Sequence, residues 1–232
     1  DLNGDDILDV GYTEAYGRIW VAGAINNGNW VGGTSVDFPG PGEGAAGMAV
    51  GALSQDGGDD DLDVIAFNQY YSSALVLPNG GGAFTVGPEV PLCTADIDGV
   101  RYGEIADFNG DGISDVVVTC MDGDGAVTLG TAGGFAPPFA LPLAGAFKPS
   151  VADLDGDGDA DVLVSSTTLD RAVMFINDGE GGFELGDRQF MGPGPVYGAV
   201  AADMNDDGAT DVVVISAPMG MPGRVDVYTA EP

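Results

Sequence analysis

The chain has no histidine, two cysteines and six lysines and arginines among 232 residues. Each shortage removes a class of chemistry. Without imidazole, Ser-His-Asp and Cys-His nucleophilic catalysis have no base, and the usual zinc sites lack their ligands. Six cations against 37 aspartates and glutamates give a formal charge of −31. Such a surface repels a phosphate backbone, so no nucleic-acid partner is expected. Apolar residues make up 44% of the chain but come in short runs, so no stretch is long enough to cross a bilayer as a helix and no membrane insertion is expected. The sequence opens on DLNGDD without a charged-then-apolar leader, which places any secretion signal outside it. The two thiols, Cys93 and Cys120, are candidates for a single disulfide in an oxidising compartment.

What the chain has in abundance is glycine, 40 residues, with 14 prolines. It must turn often, and its apolar runs suit short strands rather than helices, so an all-β fold is expected. Five acidic segments line up: DLNGDDILDVG from Asp1, QDGGDDDLDVIAF from Gln55, DFNGDGISDVVV from Asp107, DLDGDGDADVLV from Asp153 and DMNDDGATDVVV from Asp203. Their starts lie 54, 52, 46 and 50 residues apart, a period that suits a four-stranded β-propeller blade. In each unit a strand of small residues enters the acidic loop, a β-branched run leaves it, and two strands follow across a Gly-rich turn. In the fourth unit NDGEGG, residues 177–182, forms that turn and leads into Phe183. Phe84 and Phe135 follow equivalent turns, and these aromatics are expected to pack between neighbouring blades. Residues 1–232 therefore read as one partial propeller with metal loops starting near 1, 55, 107, 153 and 203. The first blade lacks its entering strand and the fifth its fourth, which predicts a longer parent chain.

The loops carry the chemistry. Asp153, Asp155, Asp157 and Asp161 occupy positions 1, 3, 5 and 9 of a tight loop, where their oxygens turn toward one point, and Asp159 at position 7 offers its carbonyl. Oxygen ligands in an irregular cage suit calcium better than magnesium. Three further loops match: Asp1, Asn3, Asp5, Ile7 and Asp9; Asp107, Asn109, Asp111, Ile113 and Asp115; Asp203, Asn205, Asp207, Ala209 and Asp211. Gly112, Gly158 and Gly208 stand at position 6, where the backbone turns sharply, while the first loop has Asp6 there. About four Ca2+ sites are expected. The second copy puts Gln55 and Gly57 at the first two ligand positions and offers a poorer set, Asp59, Asp61 and Asp63. An EF-hand would need a bidentate Glu at position 12, where Tyr12, Val118, Val164 and Val214 stand, with helices on both sides. All ligands come from one loop, so the ion is expected to be structural rather than catalytic.

With these residues the chain resembles the FG-GAP/VCBS repeat family, the integrin-α-like calcium-binding β-propellers. The best copy is VYGAVAADMNDDGATDVVVISAP, with Tyr197 and Gly198 standing for FG and Ser216, Ala217 and Pro218 for GAP. Tyr102 and Gly103 repeat its first half. The resemblance implies blades arranged usually by sevens, calcium loops joining the first two strands of a blade, and a Cys93–Cys120 pair brought within reach by neighbouring strands.

A fold does not give a function. The lack of histidine and the scarcity of cations favour a non-enzymatic binding or adhesion module at a cell surface or secreted, with a protein or glycan ligand. The alternatives are a lectin using Trp20, Trp30, Tyr70, Tyr71 or Tyr228, a subunit of a secreted filament or surface assembly joined through open blade edges, and, least favoured, a polysaccharide-active enzyme using Lys148, Arg101, Arg171 or a tyrosine.

Overall fold

The computed structural model describes residues 2, 10–14, 18–22, 25–26, 29–30, 33–37, 44–53, 62–80, 83–94, 99–121 and 123–231. Asp1, Asn3, Asp5, Ile7 and Asp9 of the first loop lie outside them, as do Asp59, Asp61 and the side chains of Trp20 and Trp30. Among the described residues there are strands and turns and no helix.

The first sheet holds β1 (Val10–Glu14), β2 (Arg18–Ala22) and, after a small hairpin of β3 (Ile25–Asn26) and β4 (Asn29–Trp30), β5 (Gly33–Asp37). The second is β6 (Ala45–Gly51), β7 (Asp63–Asn68), β8 (Ser73–Leu77) and β9 (Glu89–Pro91). The third holds β10 (Val100–Ala106), β11 (Asp115–Cys120) and β12 (Gly125–Thr128); a hairpin of β13 (Gly130–Thr131) and β14 (Gly134–Phe135) then leads to β15 (Phe139–Leu141). The fourth is β16 (Ala146–Ala152), β17 (Asp161–Ser166), β18 (Arg171–Asn177) and β19 (Phe183–Met191), and the fifth β20 (Val196–Ala202), β21 (Asp211–Ser216) and β22 (Arg224–Tyr228). Each pairs its strands antiparallel and in chain order.

The core lies between sheets. Side chains alternate sides along a strand, so in β11 Val116 and Val118 pack toward the second sheet while Val117 packs toward the fourth. In β17 Val162 and Val164 meet the third sheet and Leu163 the fifth. Both faces being covered, all six residues of β7, β11 and β17 are buried, which is why their middle residues are apolar in succession rather than on alternate positions. Each buried valine contributes roughly 1.5–3 kcal/mol. Phe84, Phe135 and Phe183 join three of these layers, as their place after the turns predicts.

The acidic loop joins the first two strands of a sheet. Ala106 pairs with Asp115, Ala152 with Asp161 and Ala202 with Asp211. In the second sheet the equivalent pair is Gly51 and Asp63, so that loop is three residues longer and starts at Ala52, not Gln55. In the second to fifth sheets the first strand carries a register irregularity at its start, at the same distance from the pair with aspartate each time. Counted back from the pairs with aspartate, Tyr197 corresponds to Arg101 and Phe147, and Tyr102 stands one step further along. Gly103 has its own reason to be glycine: a Cβ there would lie 2.5 Å from the Phe67 ring and 2.9 Å from the Val117 carbonyl.

Candidate metal centres

Each loop is anchored by its last aspartate. Asp115 accepts hydrogen bonds from the Phe108 amide (2.7 Å) and the Gly130 amide (2.6 Å). Asp161 accepts from Leu154 and Asn177, both at 2.8 Å. Asp211 accepts from Met204 (3.1 Å) and Ala230 (2.8 Å), and Asp63 from Leu53 (3.0 Å) and Asn79 (2.8 Å). All four are buried. Each carboxylate therefore ties the second residue of its loop to the end of the third strand, a duty the sequence reading, which counted position 9 as a ligand, did not separate.

The earlier positions turn inward. Asp107 accepts from the Asp111 and Gly112 amides (3.2 and 2.8 Å), Asn109 from Asp111 (3.1 Å) and Asp111 from Ile113 (2.8 Å). Asp153 accepts from Gly156 and Gly158 (2.7 and 3.0 Å), Asp155 from Asp157 (3.2 Å) and Asp157 from Asp159 (2.9 Å). Asp203 accepts from Asn205, Asp207 and Gly208, Asn205 from Asp207, and Asp207 from Ala209. Gly112, Gly158 and Gly208 take φ of 82°, 98° and 88°, as position 6 requires. Position 4 is left-handed too, in Gly110, Gly156 and, without a glycine, Asp206 (φ 61°). That second glycine position was legible in NGDG and DGDG.

In the fourth loop one oxygen each of Asp153, Asp155 and Asp161 lies within 4.8 Å of the others, so these three could hold a metal ion. In the third and fifth loops Asn109 and Asn205 replace the second carboxylate. Burial pushes the Asp115 and Asp161 carboxyls up despite their amide hydrogen bonds, and the carboxylates of their own loops push the same way. A cation would relieve both effects. An oxygen-only donor set fits a hard divalent ion.

Away from the acidic loop, at the other end of β11, Cys120 is disulfide-bonded to Cys93 with Cα atoms 6.1 Å apart, joining the connector after the second sheet to β11. Of the candidate sugar-stacking residues, Tyr70 and Tyr71 are exposed, whereas Tyr228 packs edge-on against Phe190 (5.2 Å) and donates to the Met191 carbonyl (2.6 Å). Arg171 donates to Gln189. An aromatic row, of which the FG motif marks only Tyr102 and Tyr197, crosses three successive first strands. Phe147 sits edge-on between Tyr102 (5.3 Å) and Tyr197 (5.5 Å), with the Arg101 guanidinium 5.0 Å from its ring. Tyr102 and Tyr197 are exposed. Next to Tyr102 is a hollow of about 470 Å³ lined also by Met48, Val50, Glu104 and Lys148. Tyr102 stands one step out of line with Phe147 and Tyr197, which hid this row.

A chain of the crystal structure of BBS1N in complex with ARL6DN, soaked with lead, is similar in fold, with a TM-score of 0.59 at 14% identity. The match covers 95% of this chain and 61% of that one, so the chain spans less than two thirds of its length. No curated protein matches. A model of the FG-GAP-like repeat matches residues 58–118, 107–164 and 153–214, each running from one acidic loop to the strand after the next. Covering more than half of the sequence, these three matches show that the chain belongs to the FG-GAP-like repeat family.

Proposed function

We propose that the five sheets are blades of a larger, seven-bladed β-propeller, secreted or at a cell surface, that binds calcium structurally and acts as a binding or adhesion module. The observation that carries the calcium reading is the gathering of Asp153, Asp155 and Asp161 around one point, in a loop whose pattern recurs at the family's period. Unscreened, these carboxylates repel one another; an ion locks the loop and thereby the first two strands. The disulfide fits an oxidising compartment, and FG-GAP repeats are typical of extracellular proteins. A non-enzymatic role is favoured by the absence of histidine.

The binding surface is best placed at the Tyr102, Phe147 and Tyr197 row with Arg101. Exposed rings with a cation beside them suit a protein loop. The second reading, a lectin, gains from the same row, because repeated exposed aromatics also stack on sugars. Self-assembly through open strand edges is a third.

Thermal unfolding with and without a calcium chelator tests the metal reading: chelation should lower Tm by more than ten degrees, and an unchanged Tm would reject it. A glycan array and a surface-protein pull-down, each with Tyr102→Ala and Tyr197→Ala, decide between ligand classes. Neither variant losing any binding would remove the row from the function.

A further inference from the structure

We propose that the turn Asn177–Gly182 couples the third and fourth metal loops, so that an ion in one raises the affinity of the other. The inference rests on the calcium reading and adds to it a direction of communication between sheets.

Asn177 ends β18. Its amide donates to Asp161 (2.8 Å), while its side-chain Nδ2 donates to the Phe108 carbonyl of the third loop (2.7 Å) and to the Ala160 carbonyl of the fourth (3.1 Å). Two carbonyl oxygens need a donor with two hydrogens, which the carboxamide nitrogen supplies. Phe108 is held from its own side by Asp115, which accepts from its amide. Its buried ring lies edge-on to Phe183 at 5.2 Å, just past the turn. The turn itself is wedged between the loops. A Cβ on Gly181 would stand 3.4 Å from Asn109 of the third loop, and one on Gly179 would stand 2.4 Å from the Asp159 carboxylate of the fourth.

Phe108 sits between Asp107 and Asn109, so an ion held by those residues and Asp111 immobilises its carbonyl. A fixed carbonyl holds Asn177, and Asn177 fixes Asp161 and Ala160 in the fourth loop. The second ion then meets a loop already ordered, which is positive coupling, and by linkage it acts equally in reverse.

Among the described residues the arrangement recurs once. Asn79 donates to the Leu2 carbonyl (2.5 Å) and the Leu62 carbonyl (3.0 Å), and its amide donates to Asp63. At the equivalent positions of the third and fifth sheets Gly130 and Ala230 keep the amide bond to aspartate and have no side chain to reach across. Coupling is therefore specific to particular neighbours, and the fifth loop is an internal control that should ignore the fourth.

The test is a calcium titration followed at the Gly112, Gly158 and Gly208 amides by NMR, one reporter per loop. Disabling the third loop with Asp107→Asn and Asp111→Asn should weaken the fourth about tenfold in the parent chain and less than twofold with Asn177→Ala. Disabling the fourth with Asp153→Asn should leave the fifth within twofold, which excludes a general charge effect and needs no change at Asn177. Equal weakening with and without Asn177, or a fifth loop as sensitive as the fourth, would overturn the coupling alone. Absence of any calcium-dependent shift would overturn the calcium reading and the coupling with it.

Discussion

Asp63 shares the anchoring role of Asp115, Asp161 and Asp211 without the acidic loop pattern that precedes them. It keeps both amide hydrogen bonds, while its lengthened loop begins with Ala52 where the others have aspartate. Asp63→Ala would strand two buried amides, at about 1–3 kcal/mol each. The expected loss, about 3 kcal/mol in denaturant unfolding, should be the same with and without calcium; a loss seen only with calcium would mean that Asp63 serves an ion instead. Asp206 is the converse case, a residue whose backbone conformation rather than its side chain sets its value. At φ 61° it occupies the place that Gly110 and Gly156 hold in sister loops. Asp206→Gly should stabilise by about 0.5–1 kcal/mol, the strain relieved less the entropy that glycine adds to the unfolded chain. A destabilised variant would give the Asp206 side chain a role of its own.

Between elements, Glu104 links β10 to β16 by accepting from the Val151 amide at 3.0 Å. Burial pushes its carboxyl above the usual 4.5, with the Val151 hydrogen bond and nearby Lys148 opposing. The folded state therefore binds this proton more tightly than the unfolded chain, so its contribution to stability falls as pH rises from about 4.5 through the raised value. Glu104→Gln keeps an acceptor and loses the charge. Its Tm should exceed the parent's at pH 7 and match it near pH 4, and a gap that does not close on acidification would refute the assignment. What the sequence disclosed about elements follows from where side chains meet. The loops' places in the chain were legible because Asp, Asn and Gly recur in them at fixed local spacing. Phe84, Phe135 and Phe183 were legible because each follows a turn. Asn79 and Asn177 were not, since an Asn before Gly-rich residues reads as turn chemistry and its partner carbonyl lies 77 or 69 residues away. Tyr102 and Tyr197 were legible as stand-ins for FG, but their alignment with Phe147 was not, because Tyr102 stands one step off the position that Phe147 and Tyr197 share.

At the scale of the whole molecule, a charge of −31 works against compactness, and much of it is concentrated in loops a few residues long. Salt screens such repulsion and bound calcium removes it, so the two should substitute for each other. Raising NaCl from 0.05 to 1 M should lift the Tm of the chelated protein by several degrees and that of the calcium-loaded protein by much less; parallel rises would show that loop repulsion is not what calcium relieves. The seams between sheets are not equivalent either. Where Gly130 leaves the second and third sheets without a side-chain latch, the Cys93–Cys120 bond stands instead. Pulled from its ends, the molecule would carry load across that seam covalently, and the 27-residue span between the two cysteines would stay folded out of reach, shortening the available extension by roughly 90 Å. Reductant should restore that length in single-molecule traces, making this seam a tether whose slack is set by the redox state of its surroundings.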